Sequence, residues 1–177
     1  QPDHVIFKNL ENVIIKKKIN SVSNNPFASA KGKYRHFMLK EIHEQPESII
    51  SSLRGRISFE DLSIRLKDLT LSDEKIGEIE KIFLTGMGTS MHAAMLGRLW
   101  FEKLSGIPAE WDNSSEFRYR DPIISEKTLF ISISQSGETA DTLAAMQLMN
   151  ESRIDQITLC NHPNAQSSRL ANDTLQI

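Results

Sequence analysis

One short segment of the sequence concentrates groups that can bind an anion. Residues 134–139 read Ser-Gln-Ser-Gly-Glu-Thr and stand between an apolar run and a run with helical spacing. Their three hydroxyl groups would lie beside the unpaired backbone N–H groups of a first helical turn. Because no Lys or Arg occurs between Lys127 and Arg153, hydroxyls, amides and the helix dipole would hold the anion without a countercharge. This composition indicates a phosphate-binding loop.

A plain helix cap is the alternative interpretation of the same segment. In that arrangement Ser136 would accept a hydrogen bond from the amide of Thr139 and would bind no ligand. For a single serine the cap is the better explanation. Three hydroxyls on one strand-to-helix turn favour the anion site instead.

A second loop of small and hydroxyl residues follows an earlier apolar run. Residues 86–91 read Gly-Met-Gly-Thr-Ser-Met, so Thr89 and Ser90 offer hydroxyls to a ligand. A glycine turn that only joins a strand to a helix is an equal alternative. A dinucleotide site is disfavoured because Met91 stands where the fingerprint needs a third small residue. A P-loop is excluded because the sequence has no Gly-Lys-Ser/Thr.

Composition excludes several classes of protein. The 177 residues are 39% hydrophobic and 25% charged, as expected of a soluble globular domain. A net charge of -2 gives no basic surface for nucleic acid. No apolar run approaches the ~20 residues of a membrane span. The single cysteine, Cys160, allows neither a disulfide framework nor a Cys-rich zinc site. We therefore expect a cytoplasmic protein without a metal or cofactor and without a nucleic-acid or membrane partner.

The elements that must position the two loops are predicted by a regular alternation after Glu80. Apolar runs predict strands over residues 81–85, 108–112, 128–133, 156–160 and 174–177. Helical spacing predicts helices over residues 90–104, 138–151 and 167–172. Strands that are apolar on both faces and alternate with helices are typical of a doubly wound α/β domain with a parallel sheet. In such sheets ligands bind beyond the carboxyl ends of the strands, where both loops lie.

The first third of the chain has a different organisation. Residues 3–19 predict a hairpin, and residues 21–33 have the composition of a linker, with a boundary near Gly32. A helix is predicted from Phe37, and Pro46 should kink or split it. Further helical patterns cover residues 60–69 and 72–79.

Three other features are weaker candidates for function. We expect His92 to be a surface group and Cys160 a small core residue. Residues 115–120, Ser-Glu-Phe-Arg-Tyr-Arg, are expected to form ion pairs or a subunit contact.

Several motifs together resemble a known family. They are residues 34–46 (YRHFMLKEIHEQP), 88–90 (GTS), 100–108 (WFEKLSGIP), 115–120 (SEFRYR) and 134–143 (SQSGETADTL). In this order they resemble the isomerase part of the glutamine:fructose-6-phosphate aminotransferases (isomerising), also called glucosamine-6-phosphate synthases. The resemblance runs from about Tyr34 to the last residue. It implies a sugar isomerase (SIS) domain, a three-layer sandwich with a five-stranded parallel sheet between helices.

The resemblance also implies which residues bind the substrate. The sugar phosphate would contact Ser134, Gln135, Ser136 and Thr139, with Ser90 assisting and Thr89 near the sugar hydroxyls. Two positions depart from the family pattern. Met87 replaces a usual cysteine, and residues 162–166 (HPNAQ) are an unusual version of the fourth loop.

The family organisation implies that residues 1–33 are the end of a glutaminase domain with its linker, and that residues 34–177 are the first SIS subdomain. The second SIS repeat and the segment just after Ile177 would supply the Schiff-base lysine, the general-base glutamate and the ring-opening histidine. No residue here is assigned a catalytic role, so we expect the chain alone to be inactive.

The intact enzyme would be a homodimer that makes glucosamine 6-phosphate from fructose 6-phosphate and glutamine, for amino-sugar synthesis toward UDP-N-acetylglucosamine. The alternative is a non-catalytic sensor or regulator that binds a phosphosugar in the same loop.

Overall fold

The computed structural model describes residues 6–16 and 30–177, which divide into two units between Pro46 and Glu47. In the first unit, β1 (Phe7–Lys8) pairs antiparallel with β2 (Ile14–Ile15). The side chain of Asn9 accepts hydrogen bonds from the amides of Glu11 and Val13 and so holds the turn. The predicted hairpin is confirmed within residues 6–16. Most of the predicted linker lies outside the described residues.

The first helix, α1 (Phe37–Leu53), runs through Pro46 without interruption. Of the two predicted effects of Pro46, a split of the helix is therefore wrong, whereas a kink stays a prediction. A proline removes one N–H donor, whereas the hydrogen bonds of the turns on either side remain. An i,i+4 ion pair between Lys40 and Glu44, at 2.8 Å, adds support in the turn before Pro46.

A second hairpin replaces the helix predicted over residues 60–69. Strand β3 (Ile57–Ser58) pairs antiparallel with β4 (Ser63–Ile64). The carboxylate of Asp61 accepts hydrogen bonds from the amide and the hydroxyl of Ser63, at 3.2 and 2.7 Å, and this local bonding competes with a helix. By contrast, α2 (Asp73–Gly77) forms within the predicted range, with Ser72 as its N-cap.

The remaining residues form the predicted alternation. The elements are β5 (Lys81–Gly86), α3 (Thr89–Ser105), β6 (Ala109–Asn113), α4 (Ser114–Phe117), β7 (Thr128–Ser134), α5 (Ala140–Glu151), β8 (Gln156–Cys160), α6 (Gln166–Leu170) and β9 (Asp173–Gln176). The five strands are all parallel, in the order β6-β5-β7-β8-β9. This confirms the doubly wound α/β fold with a five-stranded parallel sheet flanked by helices.

The two faces of the sheet are covered to different extents. On one face Phe83 and Phe130 pack against Phe117 and Met146, all fully buried. On the other face, α3 covers Ile82 and Leu84, but an open apolar groove of about 710 Å³ remains over β7, β8 and β9. Right-handed crossovers explain the difference, because they place α3 on one face and α5 and α6 on the opposite face.

Candidate functional site

The candidate site lies where the chain order of the sheet reverses. Strand β5 has β6 on one side and β7 on the other, so the connections leave β5 and β7 in opposite directions. Gly86, the last residue of β5, is in register with Ile133 of β7. The 86–90 loop and the 134–139 loop therefore emerge side by side at the carboxyl edge of the sheet. This is the switch point at which doubly wound sheets bind their ligands.

The 134–139 loop is held by its own hydroxyl groups. The Oγ of Ser134 accepts a hydrogen bond from the amide of Gly137 at 3.0 Å. The Oγ of Ser136 accepts from the amide of Glu138 at 3.2 Å. Helix α5 starts after its N-cap, Thr139, which makes no side-chain cap bond. The predicted alternative, in which Ser136 accepts a hydrogen bond from the amide of Thr139, is wrong. Ser136 accepts instead from the amide of Glu138.

Gly137 is required by both its conformation and its surroundings. Its φ is +67°, in the left-handed region. A Cβ at this position would lie 2.5 Å from the Cβ of Ala165 and 2.5 Å from the Oγ of Ser167. The amide of Ser167 donates to the carbonyl of Gly137 at 3.1 Å. The 134–139 loop thus rests directly on the start of α6.

The carboxylate of Glu138 is turned toward α6. It accepts hydrogen bonds from the amide of Gln166 at 2.9 Å and from the Nε2 of Gln166 at 2.6 Å. A carboxylate at a helix N-terminus is favourable for the backbone dipoles there. The only acidic side chain of the 134–139 loop is therefore engaged with the neighbouring loop.

The hydroxyls of the 86–90 loop are used differently from those of the 134–139 loop. Helix α3 starts at Thr89 after Gly88, which has a φ of +57° and provides no side-chain cap. Thr89 is exposed and Ser90 half-buried. Within the described residues neither hydroxyl has a hydrogen-bond partner. A Cβ on Gly86 would lie 2.8 Å from the backbone carbonyl carbon of Ser90, so glycine permits α3 to begin this close to the strand.

All six residues implied to bind substrate lie at the carboxyl ends of β5 and β7. Gln135 is exposed, and its backbone carbonyl accepts from the amide of Asn161 at 3.3 Å. Two helix N-termini, those of α3 and α5, also lie at this edge. The arrangement presents hydroxyls and first-turn N–H groups, which suit a tetrahedral anion.

Sequence reasoning missed a cation near the start of α5. The guanidinium of Arg118 lies 3.3 Å from the carboxylate of Asp141 in the first turn of α5. Arg120 pairs with Asp112 at 2.9 Å. These contacts confirm the ion pairs expected of residues 115–120. The unpredicted helix α4 precedes them, and its N-cap Asn113 was a signal in the sequence that could have located it.

The weaker candidates lie apart from this arrangement or in the core. His92 is exposed on α3, and Cys160 is fully buried at the end of β8, as expected. Hydrogen bonds from Ser58, Ser63 and Arg65 hold the pKa of Asp61 well below its usual range. The Glu80 carboxylate raises the pKa of Lys127. Neither shifted group belongs to the two loops, so both shifts reflect structural contacts.

Residues 6–16 and 30–177 contain neither a candidate metal site nor a membrane-spanning helix. They contain no group of three or more His, Cys, Asp or Glu that could hold a metal ion. None of their helices is both long and apolar enough to cross a membrane.

Comparison with known proteins identifies close relatives. The chain is 43% identical over 171 residues to glutamine–fructose-6-phosphate aminotransferase [isomerizing] of Clostridium acetobutylicum, covering 97% of this chain and 28% of the relative. It is 41% identical over 174 residues to the enzyme of the same name from Methanosarcina mazei, covering 98% of this chain and 28% of that relative. The chain thus spans little more than a quarter of their length. The resemblance derived from the motifs is confirmed.

Solved structures agree with the sequence relatives. The C-terminal domain of glucosamine-fructose-6-phosphate aminotransferase from Francisella tularensis matches with a TM-score of 0.75 and 34% identity, over 83% of this chain and 40% of that domain. Glucosamine-6-phosphate deaminase from Thermotoga maritima shares the fold, with a TM-score of 0.61 at 17% identity over 78% of this chain and 39% of that one. The family description "SIS domain" matches residues 75–177, which include β5 to β9 and both candidate loops. The chain belongs to the SIS domain family.

Proposed function

We propose that the 134–139 loop binds the phosphate group of fructose 6-phosphate and that the 86–90 loop contacts its sugar. The observation that carries the proposal is the position of the two hydroxyl-rich loops side by side at the switch point of the sheet. The phosphate would be bound by Ser134, Gln135, Ser136 and Thr139, with Ser90 assisting. Thr89 would contact the sugar hydroxyls.

The chemistry of the loops supports this assignment. The first-turn N–H groups of α5 point to the same edge as the loop hydroxyls, and a helix N-terminus favours an anion. The Glu138 carboxylate, which would repel a phosphate, is held against Gln166. The hydroxyls of Thr89 and Ser90 have no partner among the described residues, so Thr89 can bond a neutral polyol and Ser90 can donate to a phosphate oxygen.

The parent protein would be an isomerising aminotransferase that makes glucosamine 6-phosphate from fructose 6-phosphate and glutamine, as the names of the relatives suggest. We propose residues 1–33 as the end of its glutaminase domain with the linker, and residues 34–177 as its first SIS subdomain. The parent would act in the cytoplasm as a homodimer, in amino-sugar synthesis. The chain alone would bind substrate without turnover, because its loops present hydroxyls and amides rather than a free general base.

An amide NMR titration of the 177-residue chain tests the proposal. Fructose 6-phosphate, inorganic phosphate and NAD are titrated separately while the signals of Gly137, Thr139 and Gly88 are followed. Saturable shifts are expected with the first two ligands at Gly137 and Thr139, and with fructose 6-phosphate alone at Gly88. Ser136→Ala should abolish the shifts, whereas Ser152→Ala, at the far end of α5, should not.

Two results would count against the proposal. If the loop signals do not shift at millimolar fructose 6-phosphate in a well-dispersed spectrum, the 134–139 loop is only a structural turn. A response to NAD centred on Gly88 that survives Ser136→Ala would indicate a dinucleotide site instead.

A further inference from the structure

We infer that Ser114 is a positioning residue that sets the spacing between the two candidate loops, an inference that rests on the proposed function. Ser114 belongs to neither loop and starts α4 after the neighbouring strand β6. Its side chain is fully buried, so it exposes no surface to a ligand. It lies instead at the centre of a chain of hydroxyl groups between the two loops.

The hydroxyl chain has three members and a defined direction. The Oγ1 of Thr85 donates to the backbone carbonyl of Asp112 at 3.0 Å. Because a hydroxyl has one proton, Ser114 must donate to Thr85, across 2.9 Å. For the same reason Thr142 must donate to Ser114, across 3.1 Å. The chain therefore runs from Thr142 through Ser114 and Thr85 to a fixed carbonyl.

The two ends of the chain lie next to the two loops. Thr85 immediately precedes Gly86, with which the 86–90 loop begins. Thr142 lies in the first turn of α5, which the 134–139 loop enters. Along the sequence, Ser114 lies 29 residues from Thr85 and 28 residues from Thr142. The chain of hydroxyls thus joins the start of one loop to the end of the other across the switch point.

Burial makes this connection difficult to replace. Thr85, Ser114 and Thr142 are each no more than 1% exposed, so water does not compete for their hydroxyls. The removal of Ser114 Oγ would leave the Thr142 hydroxyl without its acceptor. A second contact acts in the same place, since Arg118, just after α4, pairs with Asp141 of α5. The start of α5 is therefore held by two contacts. Ser114 of α4 bonds Thr142 in the core, and Arg118, just after α4, pairs with Asp141 nearer the surface.

The consequence for binding depends on how many loops a ligand contacts. Inorganic phosphate depends mainly on the 134–139 loop, which is braced by Gly137 and Glu138 against α6, and Ser90 is its one contact in the other loop. A sugar phosphate needs both loops at the correct separation. A looser connection between the loops should therefore weaken the binding of fructose 6-phosphate much more than the binding of inorganic phosphate.

The test compares two buried serines by calorimetric titration of the 177-residue chain. Ser114→Ala removes the hydroxyl chain. The matched control is Ser132→Ala, which removes an equally buried hydroxyl pair, Ser132 with Thr158 at 2.8 Å, within the strands. We expect Ser114→Ala to raise the Kd for fructose 6-phosphate roughly fivefold, as one lost buried hydrogen bond allows. The Kd for inorganic phosphate should stay within about twofold. The control should leave the ratio of the two constants unchanged.

A second pair of variants tests the role if Ser114→Ala does not fold. Thr142→Val is nearly isosteric and removes only the donor, so it should reproduce the selective loss. Thr142→Ser retains the donor and should restore the ratio of affinities found for the unmodified chain.

The outcomes separate this inference from the proposed function. If Ser114→Ala weakens the binding of both ligands equally, or changes neither Kd, Ser114 is purely structural. That result overturns this inference and leaves the proposed function standing. If the unmodified chain binds neither fructose 6-phosphate nor inorganic phosphate, the proposed function fails, and the inference fails with it.

Discussion

The 134–139 loop and the 86–90 loop lie side by side, yet their hydroxyl groups are used differently. In the 134–139 loop, Ser134 and Ser136 accept backbone hydrogen bonds, and Glu138 is bonded to Gln166. In the 86–90 loop, Thr89 and Ser90 make no hydrogen bond with the described residues. The first loop is therefore organised before a ligand arrives, whereas the second has hydroxyls that can turn toward one.

This difference suits the two halves of a sugar phosphate. A phosphate always presents the same tetrahedral array of oxygens, so a preformed loop loses little entropy when it binds. The hydroxyls of a sugar are neutral donors and acceptors, and side chains that rotate can match them. Substitutions that break the preformed loop should therefore differ in effect from those that remove the hydroxyls of Thr89 and Ser90.

The largest effect is expected from Gly137→Ala. The added Cβ would lie 2.5 Å from both Ala165 and Ser167 at a positive φ, so the 134–139 loop must separate from α6. Urea unfolding should show a loss of about 2–4 kcal/mol, and fructose 6-phosphate binding should be lost.

Gly88→Ala is the matched control for that change. It has a similar φ of +57° but nothing within 4 Å of the new Cβ, so it should cost only about 1 kcal/mol. Equal losses in the two variants would show that Gly137 serves only its backbone conformation and that contact with α6 does not matter.

Ser134→Ala should have the next largest effect. It leaves the buried amide of Gly137 without its acceptor, at a cost of about 1–2 kcal/mol by thermal unfolding. Titration should show weaker binding of both fructose 6-phosphate and inorganic phosphate, because the whole loop is disturbed. Normal affinity for inorganic phosphate would indicate that the phosphate site is elsewhere.

The double substitution Thr89→Ala and Ser90→Ala should separate binding from stability. Neither hydroxyl has a partner in the described chain, so unfolding should change by less than about 0.5 kcal/mol. Calorimetry should show roughly fivefold weaker binding of fructose 6-phosphate and a smaller loss with inorganic phosphate, which loses only its contact with Ser90. A large loss of stability would mean that the two hydroxyls are structural, and the contrast between the loops would disappear.

Glu138→Gln is expected to have the smallest effect. The new glutamine side chain keeps an oxygen that can accept from the backbone N–H of Gln166. Because residue 138 is exposed, the free energy of unfolding should fall by only about 0.5 kcal/mol. Amide exchange at Gln166 should become faster while inorganic phosphate binding persists. Loss of that binding would show that the carboxylate contributes more than attachment to α6.

Much of the fold could be predicted because buried parallel strands appear in the sequence as continuous apolar runs. All five strands of the large sheet were located to within one residue at each end. The helix predicted over residues 60–69 failed because the side chain of Asp61 bonds Ser63 locally. Apolar spacing alone cannot detect such a competing hydrogen bond. The short helix α4 was missed because it is only four residues long.

The sequence by itself determined that two hydroxyl-rich loops follow two buried strands, because both the loop composition and the strand pattern are local properties. Only the tertiary structure decided which of those groups are free. The partners that brace the 134–139 loop, Ser167 and Gln166, lie on another helix, and the Thr85–Ser114–Thr142 chain joins three separate elements. Such contacts depend on strand order and register, which place residues far apart in the chain at the same edge of the sheet.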